Sequence, residues 1–478
     1  MEVIGKRSEE GGQNRNLILA VVVVSSFITP FLGSSVNIAL PVMGQYFSMT
    51  AVQLSWVAMS FLLSSAVFLV PLGRLADLVG RVKIFVYGTL IVSVSSFLCA
   101  WSVTTELLIA SRVLQSIGSA MMFGTNMAII TSVFPPNQRG KAIGINVTAV
   151  YLGLSLAPLL GGFLTQSLGW KSIFWISGGL GLLVGLTALM LLRIRTAERG
   201  PEPFDMRGAL LYVVAMSLFM FGLSRLPDFS AIILTLIGGI LLLAFGWIEL
   251  RTASPVFNMH LLLKNRVFGL SNLAALINYA TTFAVTFILS LYLQYIIGLS
   301  PRDAGMLLVV QPGLMAIVAS FSGKLSDRIQ PGRIASAGMV VITAGLVLLL
   351  FLKEDTSTVY LITSLFLMGT GFGLFSSPNT NAIMSSVDKP QLGTASATVA
   401  TMRLTGQMVS MALATLVIHI YIGQAQITPQ NHDLFLKTIP VIFGIFISLN
   451  LVGIWASLAR NSPPSISFSG SAESPPKH

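Results

Sequence analysis

The sequence predicts an all-α polytopic membrane protein: fourteen spanning helices, arranged as two six-helix bundles with two additional helices between them. Three observations carry this. Hydrophobic residues make up 54% of the 478 residues and charged residues 9%, with a mean hydropathy of +0.83, whereas soluble domains are about 25% charged. Apolar runs long enough to cross a bilayer, about 20 residues each, recur along the whole chain. Short polar patterns also repeat in its second half at a fixed offset.

In chain order the apolar runs fall near 17–41, 51–72, 83–101, 105–134, 141–165, 172–192, 208–225, 230–250, 268–297, 304–322, 334–352, 358–386, 393–421 and 438–459. The first follows a polar segment, residues 1–16, and no small-residue cleavage site interrupts it early, so it reads as a retained span rather than a signal peptide. The seventh, from Gly208 to about Ser224, barely reaches the required length. The repeat is visible in Asn126 and Asn379, Gly140 and Gly393, Ala142 and Ala395, and Gly153 and Gly406, each pair 253 positions apart. Residues 17–192 and 268–459 are therefore expected as the two bundles. Residues 193–267 supply a basic linker, with Pro201 and Pro203, and the two additional spans. The Ser- and Pro-rich tail, 460–478, is expected to be disordered.

A net charge of +11 could suggest nucleic acid, but its distribution argues for topology. With both termini on one side, 21 of the 28 Lys and Arg fall in that side's segments; Lys171, Arg225, Arg302, Lys353 and Lys437 lie opposite, and Arg112 and Arg403 lie within spans. Short cytoplasmic loops collect Lys and Arg. The termini are expected in the cytoplasm, the protein multi-pass in the cell membrane, and its partners a bilayer and a small molecule, with no nucleic acid and no second subunit.

Two tight turns mark the halves: Gly73-Arg-Leu-Ala-Asp77-Leu-Val-Gly-Arg81-Val-Lys83 and Gly323-Lys-Leu-Ser-Asp327-Arg328-Ile-Gln-Pro-Gly332-Arg333. Asp77 and Arg81 are four apart and can pair on a near-helical turn. Other stretches are Val36-Asn37-Ile-Ala-Leu-Pro41, Arg112-Val-Leu-Gln115-Ser-Ile-Gly118, Gly153-Leu-Ser-Leu-Ala157-Pro158-Leu-Leu-Gly161-Gly162, and Leu291-Tyr292-Leu-Gln294 with Gly298-Leu-Ser-Pro301. In order and spacing, from Leu17 to Ala459, these resemble the major facilitator superfamily, and in particular its fourteen-helix drug:proton antiporter branch. The resemblance implies the major facilitator fold and alternating access. It also implies a latching role for Asp77, Arg81, Asp327 and Arg328, an association of the Gly153, Pro158, Gly161 and Gly162 motif with export, and energy drawn from the proton motive force without a cofactor. The family commonly carries an acid five positions before the first-span asparagine; here that position is Leu32.

Charge inside a span is expensive and reads as functional. Arg112, Gln115, Ser119, Met122 and Asn126 share one helical face of the fourth span, and Pro30, Ser34, Asn37 and Pro41 share one of the first. Both stripes must avoid lipid, so they are expected to line a common cavity. In the thirteenth span Arg403 shares a face with Ser396, Gln407 and Ser410; there helix stapling and cavity lining remain equal alternatives. Tyr279, Thr282, Thr286 and Ser290 form a softer polar face in the ninth. All 17 acidic residues fall in loops or at span ends. A carrier of cationic drugs commonly needs a buried carboxylate that exchanges drug for proton. The inventory therefore favours neutral, amphipathic or anionic cargo. The leading expectation is an efflux antiporter of the multidrug type; the alternative on the same fold is an importer or exchanger of a small organic anion. An enzyme is excluded, because His260, His419, His432 and His478 show no ligand spacing and no soluble part could house catalysis.

Overall fold

A computed structural model describes residues 2–191, 205–252, 259–326, 328–388 and 391–460. Among these residues there is no strand. The helices are α1 (Glu2–Phe47), α2 (Ala51–Val79), α3 (Arg81–Trp101), α4 (Thr105–Val133), α5 (Pro136–Leu168), α6 (Lys171–Leu191), α7 (Met206–Arg225), α8 (Phe229–Glu249), α9 (Met259–Lys264), α10 (Arg266–Leu291), α11 (Pro301–Leu308), α12 (Val310–Leu325), α13 (Pro331–Leu349), α14 (Thr358–Ser385), α15 (Leu392–Ile422) and α16 (His432–Ala459). Among the described residues fourteen helical segments are long and apolar enough to cross a membrane. The linker at 192–204 and the tail beyond Arg460 lie outside the described residues.

Local chemistry sets the helix ends. Thr50 and Gln53 form a reciprocal capping box at the start of α2, satisfying two donors that a helix end leaves open. Asn265 accepts from the Phe268 amide to start α10, and Ser300 from the Asp303 amide to start α11. Gly80, with φ +115°, is the single residue between α2 and α3, a conformation that only glycine adopts without strain.

Four features were not legible in the apolar pattern. The first helix reaches back to Glu2. The tenth span is two helices, α11 and α12, joined at Val309. The ninth span ends in a π-turn, Tyr292–Ile296, and the short α9 precedes it. Hydropathy averages over each of these irregularities.

The packing is duplicated. In the first bundle α3 lies on α4, α1 on α5, α2 on α4 and α3 on α6; in the second α13 lies on α14, α10 on α15, α12 on α14 and α13 on α16. Small residues make the matching contacts close. A Cβ on Gly88 would fall 2.8 Å from the Gly118 carbonyl oxygen, and one on Gly338 would fall 2.6 Å from the Gly371 oxygen; helices approach this closely only through small residues. The bundles meet along two seams, α5 against α11 and α12, and α2 against α15, with α1 touching α10 between them.

The two additional helices, α7 and α8, form a hairpin outside both bundles. Helix α7 packs on α2 and on α15. The Tyr212 hydroxyl donates to the Ala66 carbonyl of α2 at 3.1 Å, and Phe221 stacks near Trp56 with ring centres 5.5 Å apart. From the other bundle, His419 Nδ1 lies 3.1 Å from the Leu226 carbonyl at the tip of the hairpin. The hairpin therefore lies across one seam and is bonded to both sides of it.

Candidate substrate site between the bundles

Hydrogen bonds between the bundles gather at the end of the molecule away from the Gly73–Lys83 turn. Pro41 has no N–H, so the Asn37 carbonyl four residues back lacks its helical donor. The Ser290 hydroxyl of α10 supplies one at 2.7 Å. Gln294 Nε2 donates to the Ile38 carbonyl at 3.0 Å and the Tyr295 hydroxyl to the Pro41 carbonyl at 3.3 Å. Beside them the Ala51 amide donates to the Ala425 carbonyl at 2.9 Å, and Gln426 Nε2 donates to the Ser48 carbonyl at 2.9 Å.

The proline and glycine motif of α5 sits on this seam. Gly153 and Gly161 face Phe27 and Ser35 of α1, while Gly162 faces the Pro301 carbonyl of α11, and Gly305 faces the Pro158 carbonyl in return. Farther along, the Ser155 hydroxyl donates to the Pro312 carbonyl at 2.9 Å. Toward the other end of α5, Gly140 and Gly144 face open space.

The fourth-span stripe is buried inside the first bundle. Arg112 is fully enclosed. Its Nη1 donates to Gln115 Oε1 at 2.6 Å and to the Leu32 carbonyl at 3.4 Å, its Nε donates to the Val57 carbonyl at 3.3 Å, and its guanidinium stands 4.4 Å from the Phe61 ring centre. Gln115 passes the network on to Ser96. In this conformation Arg112 joins α1, α2 and α4 and spends its donors on two backbone carbonyls and the Gln115 side chain; Nη2 alone has no partner. Asn126 is likewise interior: Nδ2 donates to Ser26 Oγ at 2.7 Å, Oδ1 accepts from Ser25 Oγ at 3.2 Å, and Ser26 donates to Asn146 of α5 at 2.7 Å. Asn37 is buried with its side-chain oxygen unpartnered, and Ser34 is half-buried.

The thirteenth-span group lies where the bundles face each other. Arg403 of α15 is half-buried, and its guanidinium stands 5.3 Å from the ring centre of Phe123, which belongs to α4 of the other bundle. It also lies beside the hydroxyl of Tyr279 on α10, which is within electrostatic reach of Tyr151 on α5. Tyr279 meets Phe372 of α14 edge to face at 5.3 Å. Gln407, one turn on from Arg403, is half-buried too. Counted from the nearest helix ends at 1.5 Å per residue, Phe123, Arg403, Tyr279, Phe372 and Tyr151 all lie about 15–22 Å deep, the middle of a core about 30 Å thick. Phe123, Tyr151 and Phe372 carried no sequence signal, since aromatic residues in apolar spans are ordinary; only their position opposite a charge distinguishes them.

At the turn itself Arg81 Nε donates to Asp77 Oδ1 at 2.8 Å, both side chains partly exposed. Such a pair contributes only about 0.3–0.5 kcal/mol. In the second turn Arg328 is exposed and Asp327 lies outside the described residues.

A second buried arginine was not anticipated. Arg460, placed in the tail by its sequence, is almost fully enclosed. It donates to Ser271 Oγ at 2.8 Å, to Ser457 Oγ at 3.0 Å, to the Gly332 carbonyl at 3.4 Å and to Asn379 Oδ1. Burial draws its guanidinium down to about 10, which leaves it charged at neutral pH. Asn379, the repeat partner of Asn126, thus centres the polar network of the second bundle as Asn126 does in the first. A separate shallow groove lies open on the outer face of the second bundle among α13, α14 and α16, lined by apolar residues and Thr343. It offers no charged group.

The sequence profile described as Major Facilitator Superfamily matches residues 22–409 and again 271–478. The chain belongs to the Major Facilitator Superfamily. Among its superfamily relatives, riboflavin transporter RibZ of Clostridioides difficile (strain 630) is 30% identical over 409 residues, covering 86% of this chain and 88% of that protein. Multidrug transporter protein MdtP of Bacillus subtilis (strain 168) is 29% identical over 400 residues, covering 81% and 72%. The fold is shared with a solved bacterial homolog of the human lysosomal transporter Spinster, in an inward-facing and unoccupied conformation, at a TM-score of 0.68 and 16% identity over 95% of this chain and 99% of that one. A facilitator of this kind is a multi-pass membrane transporter of small molecules and not an enzyme.

Proposed function

We propose that this transporter is an efflux antiporter of the cell membrane, exporting amphipathic neutral or anionic small molecules in exchange for protons, as a monomer with both termini in the cytoplasm. The observation that carries the reading is the two-ended seam. Bonds between the bundles concentrate at the end with few basic residues, while toward the basic end Gly140 and Gly144 of α5 have no neighbour within 4 Å. With basic loops in the cytoplasm, this is a carrier open inward, and the Arg403 and Tyr279 group is reached from the cytosol. Rocking the bundles about that mid-depth group would break the Ser290 to Asn37 family of bonds and present the cargo outside.

The charge inventory supports the cargo class. Arg403 faces the gap, and no acidic residue falls in the central part of any span, so a cation would meet repulsion without compensation. Relatives named for riboflavin and for multidrug transport agree with cargo of intermediate polarity. Cargo movement in inside-out vesicles with an imposed pH gradient tests the proposal. Uphill accumulation in inside-out vesicles that collapses with the gradient is expected. Accumulation confined to right-side-out vesicles would favour the importer.

A further inference from the structure

We propose that Arg403, together with Phe123, Tyr151, Tyr279 and Phe372, forms a receptor for a planar aromatic anion, the carboxylate or phenolate of a flat ring system. The inference rests on the transporter reading above and names the chemistry of its site. The guanidinium has a ring on one side, Phe123 at 5.3 Å, and a phenol beside it. Its Nε is buried and has no hydrogen-bond partner, so a donor is aimed at nothing the protein provides. The charge neighbours of Tyr279 are Arg403 and Tyr151, with no carboxylate among them. The Tyr279 hydroxyl takes another of the guanidinium's donors, so the acceptor that Nε lacks is left for a bound molecule to supply, and an anionic one makes the stronger bond. Arginine also stacks on aromatic faces, and the surrounding rings come from both bundles, so a flat molecule inserted here would touch α4 and α5 on one side and α10, α14 and α15 on the other. Arg112 cannot serve in its place in this conformation, because it is fully enclosed and bonded to carbonyls.

Equilibrium binding to purified protein in lipid nanodiscs tests this, using fluorescent anthracene-9-carboxylate, its uncharged methyl ester, and cyclohexanecarboxylate as a competitor. The acid is expected to bind saturably and about 10-fold or more tighter than either comparator, the difference expected of one charge-assisted hydrogen bond or one lost ring stack. Arg403→Gln should weaken the acid by a similar factor and leave the ester unchanged, and Arg403→Lys should recover part of the loss. Phe123→Leu should weaken both aromatic ligands and not the cyclohexane acid. Unreactive Cys99, buried in α3, certifies that each variant is folded; should Arg403→Gln fail that check, the ranking of the three ligands on the native protein decides. Absence of saturable acid binding, an acid no tighter than its ester, or a folded Arg403→Gln that binds the acid normally would overturn the inference. Because binding is read without transport, failure of the export reading would appear separately, in the vesicles.

Discussion

Ser290 gives its hydroxyl proton to the main-chain oxygen of Asn37, 2.7 Å away, an acceptor that Pro41 has left without its own helical donor. The bond joins the two bundles and exists only while their far ends are together. When they part, water can satisfy the same oxygen. Replacing the hydroxyl therefore penalises one state and not the other.

Ser290→Ala is expected to shift the equilibrium toward the state open at the far end by about 1–3 kcal/mol, the cost of a buried acceptor left unpaired. Spin labels at the exposed positions Tyr46 and Tyr421 should show a longer distance component in the variant. Ser290→Thr, which retains the hydroxyl, should restore the native distribution.

Gly162→Val places a branched side chain against the Pro301 carbonyl, where even a methyl group overlaps. The closed far end should lose about 1–3 kcal/mol from overpacking, with the same lengthening between Tyr46 and Tyr421 and a matching loss of transport. Gly140→Ala, in open space, should leave both readouts unchanged.

Arg112→Ala leaves Gln115 Oε1 without its donor and empties a fully enclosed site, while the Leu32 and Val57 carbonyls keep their own helical donors. An unpaired buried group costs about 1–3 kcal/mol, so the first bundle should unfold at markedly lower temperature. Cys99 is fully buried, and its reaction with a maleimide reports that unfolding directly. Arg112→Lys retains the charge but not the planar fork, and should fall between the native protein and the alanine variant.

The two repeat asparagines should differ. Asn126→Ala removes a neutral network, whereas Asn379→Ala takes a partner from the buried charge of Arg460. A hydrogen bond to a charged group contributes about 1.5–3 kcal/mol against about 0.5–1.5 for a neutral one, so Asn379→Ala should be the more destabilising by thermal unfolding. Arg460→Met in the same chain should recover part of the loss.

How far the sequence could be read follows from what sets each feature. The fourteen spans, the doubled architecture and the Asp77 to Arg81 pair were legible, because length, hydropathy and four-residue spacing are local properties. The turn at Tyr292–Ile296 was hidden in largely apolar sequence, whereas the break at Val309 has a local signal that hydropathy passes over, Pro312, which leaves the Leu308 carbonyl without its helical donor. Among the candidate site residues, periodicity identified which face of α4 is polar but not what that face meets. Arg112 and Arg403 look alike in sequence, yet one is enclosed by its own bundle and the other faces the opposite one. Arg460 was assigned to a tail because it follows the last apolar run, and its partners Ser271 and Asn379 lie 189 and 81 positions away.

The placing of α7 makes the molecule unequal on its two flanks. Helices α2 and α15 are curtained by it, while the equivalent pair, α5 with α11 and α12, has no such cover among the described residues. In the proposed orientation a greasy solute dissolved in the inner leaflet would meet that cover on one flank and not on the other, and cargo drawn from the membrane would be expected to enter past the basic end of α5.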